Sequence, residues 1–212
     1  MPGAPTVKSH TSLGGALAVN GVTSGGTGRL IVNHCTFAYN LAYSKTAAAI
    51  STYRYPVVVR NSIFFGSQVA DETRLKGYGR EICIFGTGAI DIDYSFVTAA
   101  GAEYLSCESK DTPIVLGDHM VYGDPLLMTP AAQAQAWLDP ENYVYRPEKL
   151  DEIVRANVHL RRRSEAIDRG DPAEPYGLEP DPNGGRLNIG AYGNTPEAAR
   201  TPTNSGLCIM VR

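Results

Sequence analysis

The sequence predicts an all-β protein, a parallel β-helix with an irregular C-terminal cap that contains short helices. Three observations predict it. The first is a repeat. Leu30 to Phe37 (Leu-Ile-Val-Asn-His-Cys-Thr-Phe) returns in altered form as Val57 to Phe64 and as Ile90 to Val97. The copies start at 30, 57 and 90, so they lie 27 and then 33 residues apart. A period in that range marks stacked supersecondary units, each unable to bury its apolar face alone. The second observation is the short alternating apolar run inside the unit, a strand signature and not a helical one. The third is a weaker companion series: Ala16 to Val19, Ala48 to Ile50 and Ile82 to Ile84 each precede a copy by a short gap. Two or more strands per repeat, no room for a crossover helix and a small polar residue at the bend describe a β-helix coil.

Aligning the copies gives columns. Leu30, Val57 and Ile90 share one, Val32, Val59 and Ile92 the next, and Phe37, Phe64 and Val97 close the unit. Because side chains alternate across a strand, these columns face inward and their neighbours outward. His34, Asn61 and Tyr94 form the bend column, followed by Cys35, Ser62 and Ser95.

Composition sets the bounds. The 212 residues carry 19% charged residues, 22 Gly and 14 Pro, which suits a turn-rich β protein and argues against disorder. The net charge of -3 makes no electrostatic case for nucleic acid as a partner. No apolar run approaches the roughly 18 residues of a transmembrane segment. Cys35, Cys83, Cys107 and Cys208 show no metal or redox spacing and read as structural thiols. Met1 to Thr6 lacks the charged and apolar regions of a signal peptide. The first coil begins almost at once with no polar cap ahead of it, so upstream coils or another chain are expected at the N-terminal end.

The chain then divides into a leader (1–13), coils (14–117), a C-terminal capping segment (118–194) and a tail (195–212). Within the coils, residues 14–29 hold a strand and a Gly-rich turn (Gly21, Gly25, Gly26, Gly28) without the Lys-Ser/Thr that would close a P-loop. Residues 66–80 are a polar excursion. In the cap, Thr129-Pro130 reads as an N-cap and N1 pair opening a helix over Ala131 to Leu138. Pro147 opens a second helix to about Ala156, with Leu150, Ile153 and Val154 on one face. Trp137 is read as an anchor beneath the helix rather than a sugar platform. Arg161-Arg162-Arg163 is an exposed basic edge, with contact to an anionic sugar or phosphate as the sharper alternative. Asp168 to Pro172 and Pro180 to Gly185 are turns, and Arg186 to Ala191 alternates as a last strand. The segment is expected to cover the open end of the last coil.

Gly14-Gly15-Ala16-Leu17, then Val32-Asn33-His34-Cys35-Thr36-Phe37 and Asn40, resembles the repeat of right-handed parallel β-helix proteins of the pectate-lyase-like superfamily. Gly123-Asp124-Pro125-Leu126, Asn157 to Leu160, Ser164-Glu165-Ala166-Ile167-Asp168-Arg169-Gly170 and Asn183 to Gly193 resemble the closing segment of many secreted bacterial β-helix proteins. Glu165 stands where that motif has Pro. His34 and Tyr94 stand where an inward Asn often stacks, which leaves Asn61 alone to represent an asparagine ladder. The resemblance implies an extracellular or cell-surface protein with a polysaccharide as partner.

Two classes of function fit. One is a carbohydrate-active β-helix, a lyase or hydrolase fragment acting on an acidic glycan. The other is a non-catalytic stalk, adhesin or binding module. The outward columns nominate the site. Ile31, Val58 and Asp91 form one, Asn33, Arg60 and Asp93 the other. Asp91 and Asp93 stand roughly 7 Å apart along a strand, with Arg60 about 5 Å from Asp93 across the coil spacing. As a site, Asp91 and Asp93 hold a calcium ion that neutralises a uronate, and Arg60 is the catalytic residue. As plain surface, Arg60 and Asp93 form a salt bridge and Asp91 is solvated. Asp168, Asp171 and Glu174 are read as turn caps ahead of a calcium set. His10, His34, His119 and His159 are scattered and match no triad or zinc spacing.

Overall fold

A computed structural model describes residues 16–20, 28–42, 47–69, 80–101, 104–107, 113–139 and 144–203. The leader, Gly14-Gly15, Gly21, Gly25, Gly26, His10, Cys208 and most of the 66–80 excursion lie outside the described residues. The chain winds into a parallel β-helix of four rungs. Strands β1 (Leu17–Asn20), β2 (Leu30–Asn33), β3 (Thr36–Ala38) and β4 (Leu41–Ala42) make the first rung. The second rung is β5 (Ile50–Tyr53), β6 (Val57–Arg60), β7 (Ile63–Phe65) and β8 (Gln68–Val69). The third is β9 (Ile82–Phe85), β10 (Ile90–Ile92) and β11 (Phe96–Val97), and the fourth is β12 (Leu105–Cys107), β13 (Ile114–Leu116) and β14 (Val121–Tyr122). Equivalent strands pair in parallel into three four-stranded sheets, β1-β5-β9-β12, β2-β6-β10-β13 and β3-β7-β11-β14, called here A, B and C. Strands β4 and β8 form a fourth, two-stranded sheet, D.

The register matches the sequence columns. Leu30 pairs with Val57 and Val57 with Ile90. Phe37 pairs with Phe64 and Phe64 with Val97. The companion series is sheet A, where Leu17, Ile50 and Ile82 align. One core fills the bore: Val32, Val57, Val59, Phe64, Ile90, Ile92 and Val97 are buried, with Leu30 and Phe37 partly buried at the first rung. Phe37 stacks on Phe64 with ring centroids 5.0 Å apart.

The bend between sheets B and C repeats in the first three rungs. His34, Asn61 and Tyr94 all adopt left-handed backbone, with φ of 50°, 49° and 46°. The next column ties the rungs together. Ser62 Oγ accepts the Cys35 N–H (3.1 Å) and donates to the Arg60 carbonyl (2.7 Å). Ser95 Oγ accepts the Ser62 N–H (3.3 Å) and donates to the Asp93 carbonyl (2.8 Å). With Asn61 the lone asparagine of the bend column, a hydroxyl ladder in the next column links the rungs. Cys35, Cys83 and Cys107 form no disulfide.

The C-terminal segment has its two short helices, α1 (Ala131–Gln135) and α2 (Leu150–Val154), with a 3-10 turn over Pro147–Lys149 before α2. It differs from expectation in four ways. First, α1 stops early. Thr129 does not cap it; its hydroxyl accepts the Asn157 N–H instead (2.8 Å). Leu138–Asp139 becomes β15, antiparallel to β16 (Val144–Tyr145). Second, Leu150 and Val154 of α2 are exposed. Third, Arg186 to Ala191 is no strand. Leu187, Asn188 and Ile189 are all buried in succession, so their backbone is satisfied by turns and side chains rather than a ladder. Fourth, the segment lies along the flank of sheet C. Ile63, Phe65 and Phe96 point outward and are covered by Leu127, Ala134, Trp137, Ala166 and Ile189. The end strand β13 keeps Ile114, Val115 and Leu116 exposed. Trp137 is the anchor read from the sequence, 1% exposed and edge-on to Tyr39. Gly190 (φ 110°) makes the closest approach; a Cβ there would sit 2.8 Å from Ile63 Cδ1.

The core should dominate stability. Phe64→Ala is expected to cost about 3–5 kcal/mol, against no more than about 0.5 kcal/mol for Ile31→Ala on the outer face, as read by urea unfolding. A second expectation concerns Glu81, fully buried beside sheet A with its carboxyl pushed up to about 7 by desolvation. The folded value lies above the unfolded one, so the folded state holds the extra proton. Stability should fall as pH rises from the unfolded value of about 4.5 to the folded one, by on the order of 3 kcal/mol, and Glu81→Gln should flatten that limb.

Candidate functional site

The outer face of sheet B carries the column Ile31, Val58, Asp91 and Val115. Asn33 pairs with Arg60 at the next outward position. Asp93 lies one residue beyond the end of β10. The three residues nominated from sequence are therefore neighbours, but their partners differ from either reading of the sequence. Arg60 reaches to Asp91, not Asp93: its Nη2 lies 2.9 Å from Asp91 Oδ1 and its Nη1 donates to the Val59 and Asp91 carbonyls (2.7 and 3.2 Å). With side chains 31% and 46% exposed, this pair is worth up to about 1 kcal/mol.

Asp93 is committed elsewhere. Its Oδ1 accepts the N–H groups of Tyr94 (2.8 Å) and His119 (3.0 Å), and its Oδ2 lies 3.1 Å from His119 Nδ1. Desolvation pushes the carboxyl up, but the hydrogen bonds from the His119 ring and the two backbone N–H groups outweigh it and hold the carboxyl below its ordinary value. Gly117 lets β13 pass this close, because a Cβ there would lie 2.0 Å from Asp93 Cγ. Calcium asks for six to eight oxygens gathered around one point. Asp91 and Asp93 face different partners instead, Arg60 and His119, and among the described residues no three His, Cys, Asp or Glu side chains gather into a metal site. The pair does not fit a shared calcium ion.

The residue that sequence reading passed over is His119. Its ring stacks on Tyr94 with centroids 4.1 Å apart and planes within 8°. Tyr94 Oη is 3.4 Å from His119 Nε2. Because the rings are parallel, the in-plane lone pair of Nε2 does not point at the phenol, and the His119 side chain is half-exposed. The Arg186 guanidinium lies 5.5 Å from the Tyr94 ring centroid on a chain segment that also donates to the Gly170 carbonyl. The result is a carboxylate-oriented imidazole at an exposed bend, stacked on a phenol whose ring also meets the Arg186 guanidinium. No sequence spacing could flag it, since His119 and Asp93 meet only through the stacking of rungs.

The remaining candidates are structural. Asp171 Oδ1 caps the Ala173 N–H (2.9 Å), as turn capping predicts, whereas Glu174 Oε1 accepts from Asn33 Nδ2 (3.5 Å), 141 residues away in the chain. Asp168 accepts from the Thr201 hydroxyl (2.8 Å). His34 is half-buried and held below its ordinary value by that burial. His159 stacks on Tyr192. Arg161 and Arg162 are exposed and donate to the Met128 and Thr203 carbonyls. Among the described residues no helix is long and apolar enough to cross a membrane. Comparison with family models, with curated proteins and with solved structures gives no match.

Asp93 gives this site an acid-sensitive anchor. Its folded value lies below the unfolded one, so its stabilisation is complete above the unfolded value of about 3.9 and disappears as pH falls through the folded value. Asp93→Asn is expected to lower the urea midpoint at neutral pH and to leave the midpoint less steep in pH below about 4. An unchanged acid limb would mean that Asp93 does not anchor the bend.

Proposed function

We propose that the protein is a carbohydrate-directed β-helix of the pectate-lyase-like superfamily, acting outside the cell or at its surface, and that it engages an acidic glycan across the bend at His119. One observation carries the reading: Asp93 orients His119 at the bend, with the His119 side chain half-exposed and Tyr94 against the ring. β-Elimination from a uronate chain needs a base for the ring proton beside the carboxylate, a cation on that carboxylate and a donor for the leaving oxygen. The neutral His119 imidazole is the base, taking the proton at Nε2, while Asp93 holds the tautomer with the proton on Nδ1. The electron pair of the broken C–H bond forms the ring double bond as the glycosidic C–O bond breaks. Tyr94 Oη, 3.4 Å from His119 Nε2, serves as the donor to the leaving oxygen. Arg60 and Arg186 supply positive charge along the bend. This chemistry replaces the calcium-assisted route, because the two carboxylates turn to separate partners.

A second reading has its own support. Ile31 and Val115 are 61% and 51% exposed in one outer column, a stripe suited to an adhesive or binding face without catalysis. Incubation with a polyuronate panel, with and without a chelator, separates the two. Unsaturated products formed in the presence of chelator, and reduced by roughly 10²–10⁴-fold in His119→Ala with the melting temperature within a few degrees of wild type, are the expected result. Glycan binding without product would favour the binding module. Neither binding nor product would remove the acidic glycan from the reading.

A further inference from the structure

The basic triplet Arg161-Arg162-Arg163 takes no part in the bend at His119, and its middle member reaches a cavity of the C-terminal segment. The cavity measures about 490 Å³, inside the range of small-ligand sites, roughly 300–1,000 Å³. Arg162, Arg200, Thr201 and Thr203 form its polar wall, and Leu160, Pro182 and Ala199 its apolar one. Arg162 and Arg200 are exposed residues, so a guest can reach their side chains. Arg162 is held through one nitrogen: its Nη2 donates to the Thr203 carbonyl (3.1 Å) and hydroxyl (3.4 Å). Its Nε and Nη1, and the whole Arg200 guanidinium, have no partner among the described residues. Among those residues no acidic side chain lines the cavity. Asp168 stands behind Thr201 and accepts its hydroxyl proton (2.8 Å), Glu197 faces His159 (3.4 Å), and Asp181, next to Pro182, is exposed and outside the wall. Two permanent positive charges on one wall, without a carboxylate between them, draw an anion.

The wall sets the class of guest. A planar guanidinium fork suits the paired oxygens of a carboxylate or a phosphate. The Thr203 hydroxyl accepts from Arg162 and keeps its own proton to donate, whereas the Thr201 hydroxyl has given its proton to Asp168 and can only accept. A guest hydroxyl therefore fits beside Thr201, and an anionic oxygen beside Thr203. Leu160, Pro182 and Ala199 meet the C–H surface of a compact body. We infer that this cavity binds a small hydroxylated organic oxyanion, its carboxylate or phosphate held by Arg162 and Arg200. The inference does not rest on the His119 reading, since it needs neither a glycan chain nor catalysis.

The test is calorimetry and saturation-transfer NMR on the full chain with two matched pairs, D-glucuronate against D-glucose and glycerol phosphate against glycerol, and with inorganic phosphate. At least one of the two organic anions should bind saturably, with a Kd in the millimolar range or below and more tightly than inorganic phosphate. Its neutral counterpart should not bind, and added salt should weaken the anion. The pair that responds tells carboxylate from phosphate. Arg162 and Arg200 are exposed, so Arg162→Gln and Arg200→Gln leave the fold intact, and each should weaken binding by about tenfold or more. His119→Ala should leave it unchanged, and so should a failure of the protein to cleave polyuronates. The inference is overturned if neither organic anion binds, if a neutral counterpart or inorganic phosphate binds as tightly, or if either arginine variant binds like wild type. It is equally overturned if His119→Ala abolishes binding and so puts the anion at the outer bend.

Discussion

Parallel stacking of the first three rungs demands that they turn at the same place and by the same amount. The bend column meets that demand with three different residues in one backbone state: His34, Asn61 and Tyr94 all sit near φ 50°. Left-handed backbone costs a non-glycine residue roughly 1–2 kcal/mol, so something must hold it. The Ser62 and Ser95 hydroxyls do so by taking an N–H from the adjacent rung and returning a proton to their own. This ladder sets the angle between sheets B and C and leaves the bore wide enough for Phe37, Phe64 and Val97. It also settles which side chains of sheet C point away from the bore.

Those outward side chains explain the C-terminal third of the chain. All three residues of β7, Ile63, Phe64 and Phe65, are buried, so this strand has apolar groups on both faces and needs a second cover. The closing segment supplies it, and Asn61 is the joint. Its Nδ2 donates to Asn33 Oδ1 (3.0 Å), its Oδ1 accepts the Asp171 N–H (2.7 Å) and its carbonyl accepts the Gly190 N–H (2.9 Å). A buried amide satisfied by three separate chain segments specifies one docking geometry and no other. Tyr39 plays the matching part at the far edge, donating to the Thr129 carbonyl (2.5 Å) while its own carbonyl accepts from the Tyr145 hydroxyl.

The coils were legible in the sequence because their signal is periodic: the register of Leu30, Val57 and Ile90 could be written down before any coordinates. Trp137 was legible because a lone large aromatic has few other fates. The closing segment was not, for two physical reasons. Leu187 and Ile189 alternate with Arg186 and Asn188 like a strand, yet Asn188 is as buried as they are because its side chain pairs with Asp168 N–H and the Ala199 carbonyl. Hydrogen bonds to side chains took the place of a ladder, and apolar spacing cannot show that. Leu150 and Val154 fall on one helical face that lies toward solvent, since only Ile153 reaches the cluster on sheet C. At the site, Arg60, Asp91 and Asp93 were found as a neighbourhood, but the pairing within it depended on side-chain direction. Asp93 turns along the bend to backbone N–H groups, which leaves Arg60 to Asp91.

The outward column Asn33, Arg60, Asp93 shows why function in such a fold is decided rung by rung. The backbone position is the same three times, yet the first residue meets Asn61 and Glu174, the second Asp91 and the third His119. Nothing in the core constrains an outward side chain, so each is free to take a different partner at little cost in stability. What the stack does fix is distance. A residue in one rung always finds the next rung at the strand spacing of about 4.8 Å, which is how Asp93 meets a histidine 26 residues later in the chain. A rigid ladder that leaves its outer columns free can bring a carboxylate, an imidazole and a phenol together at one bend, over a bore that is the same in every rung.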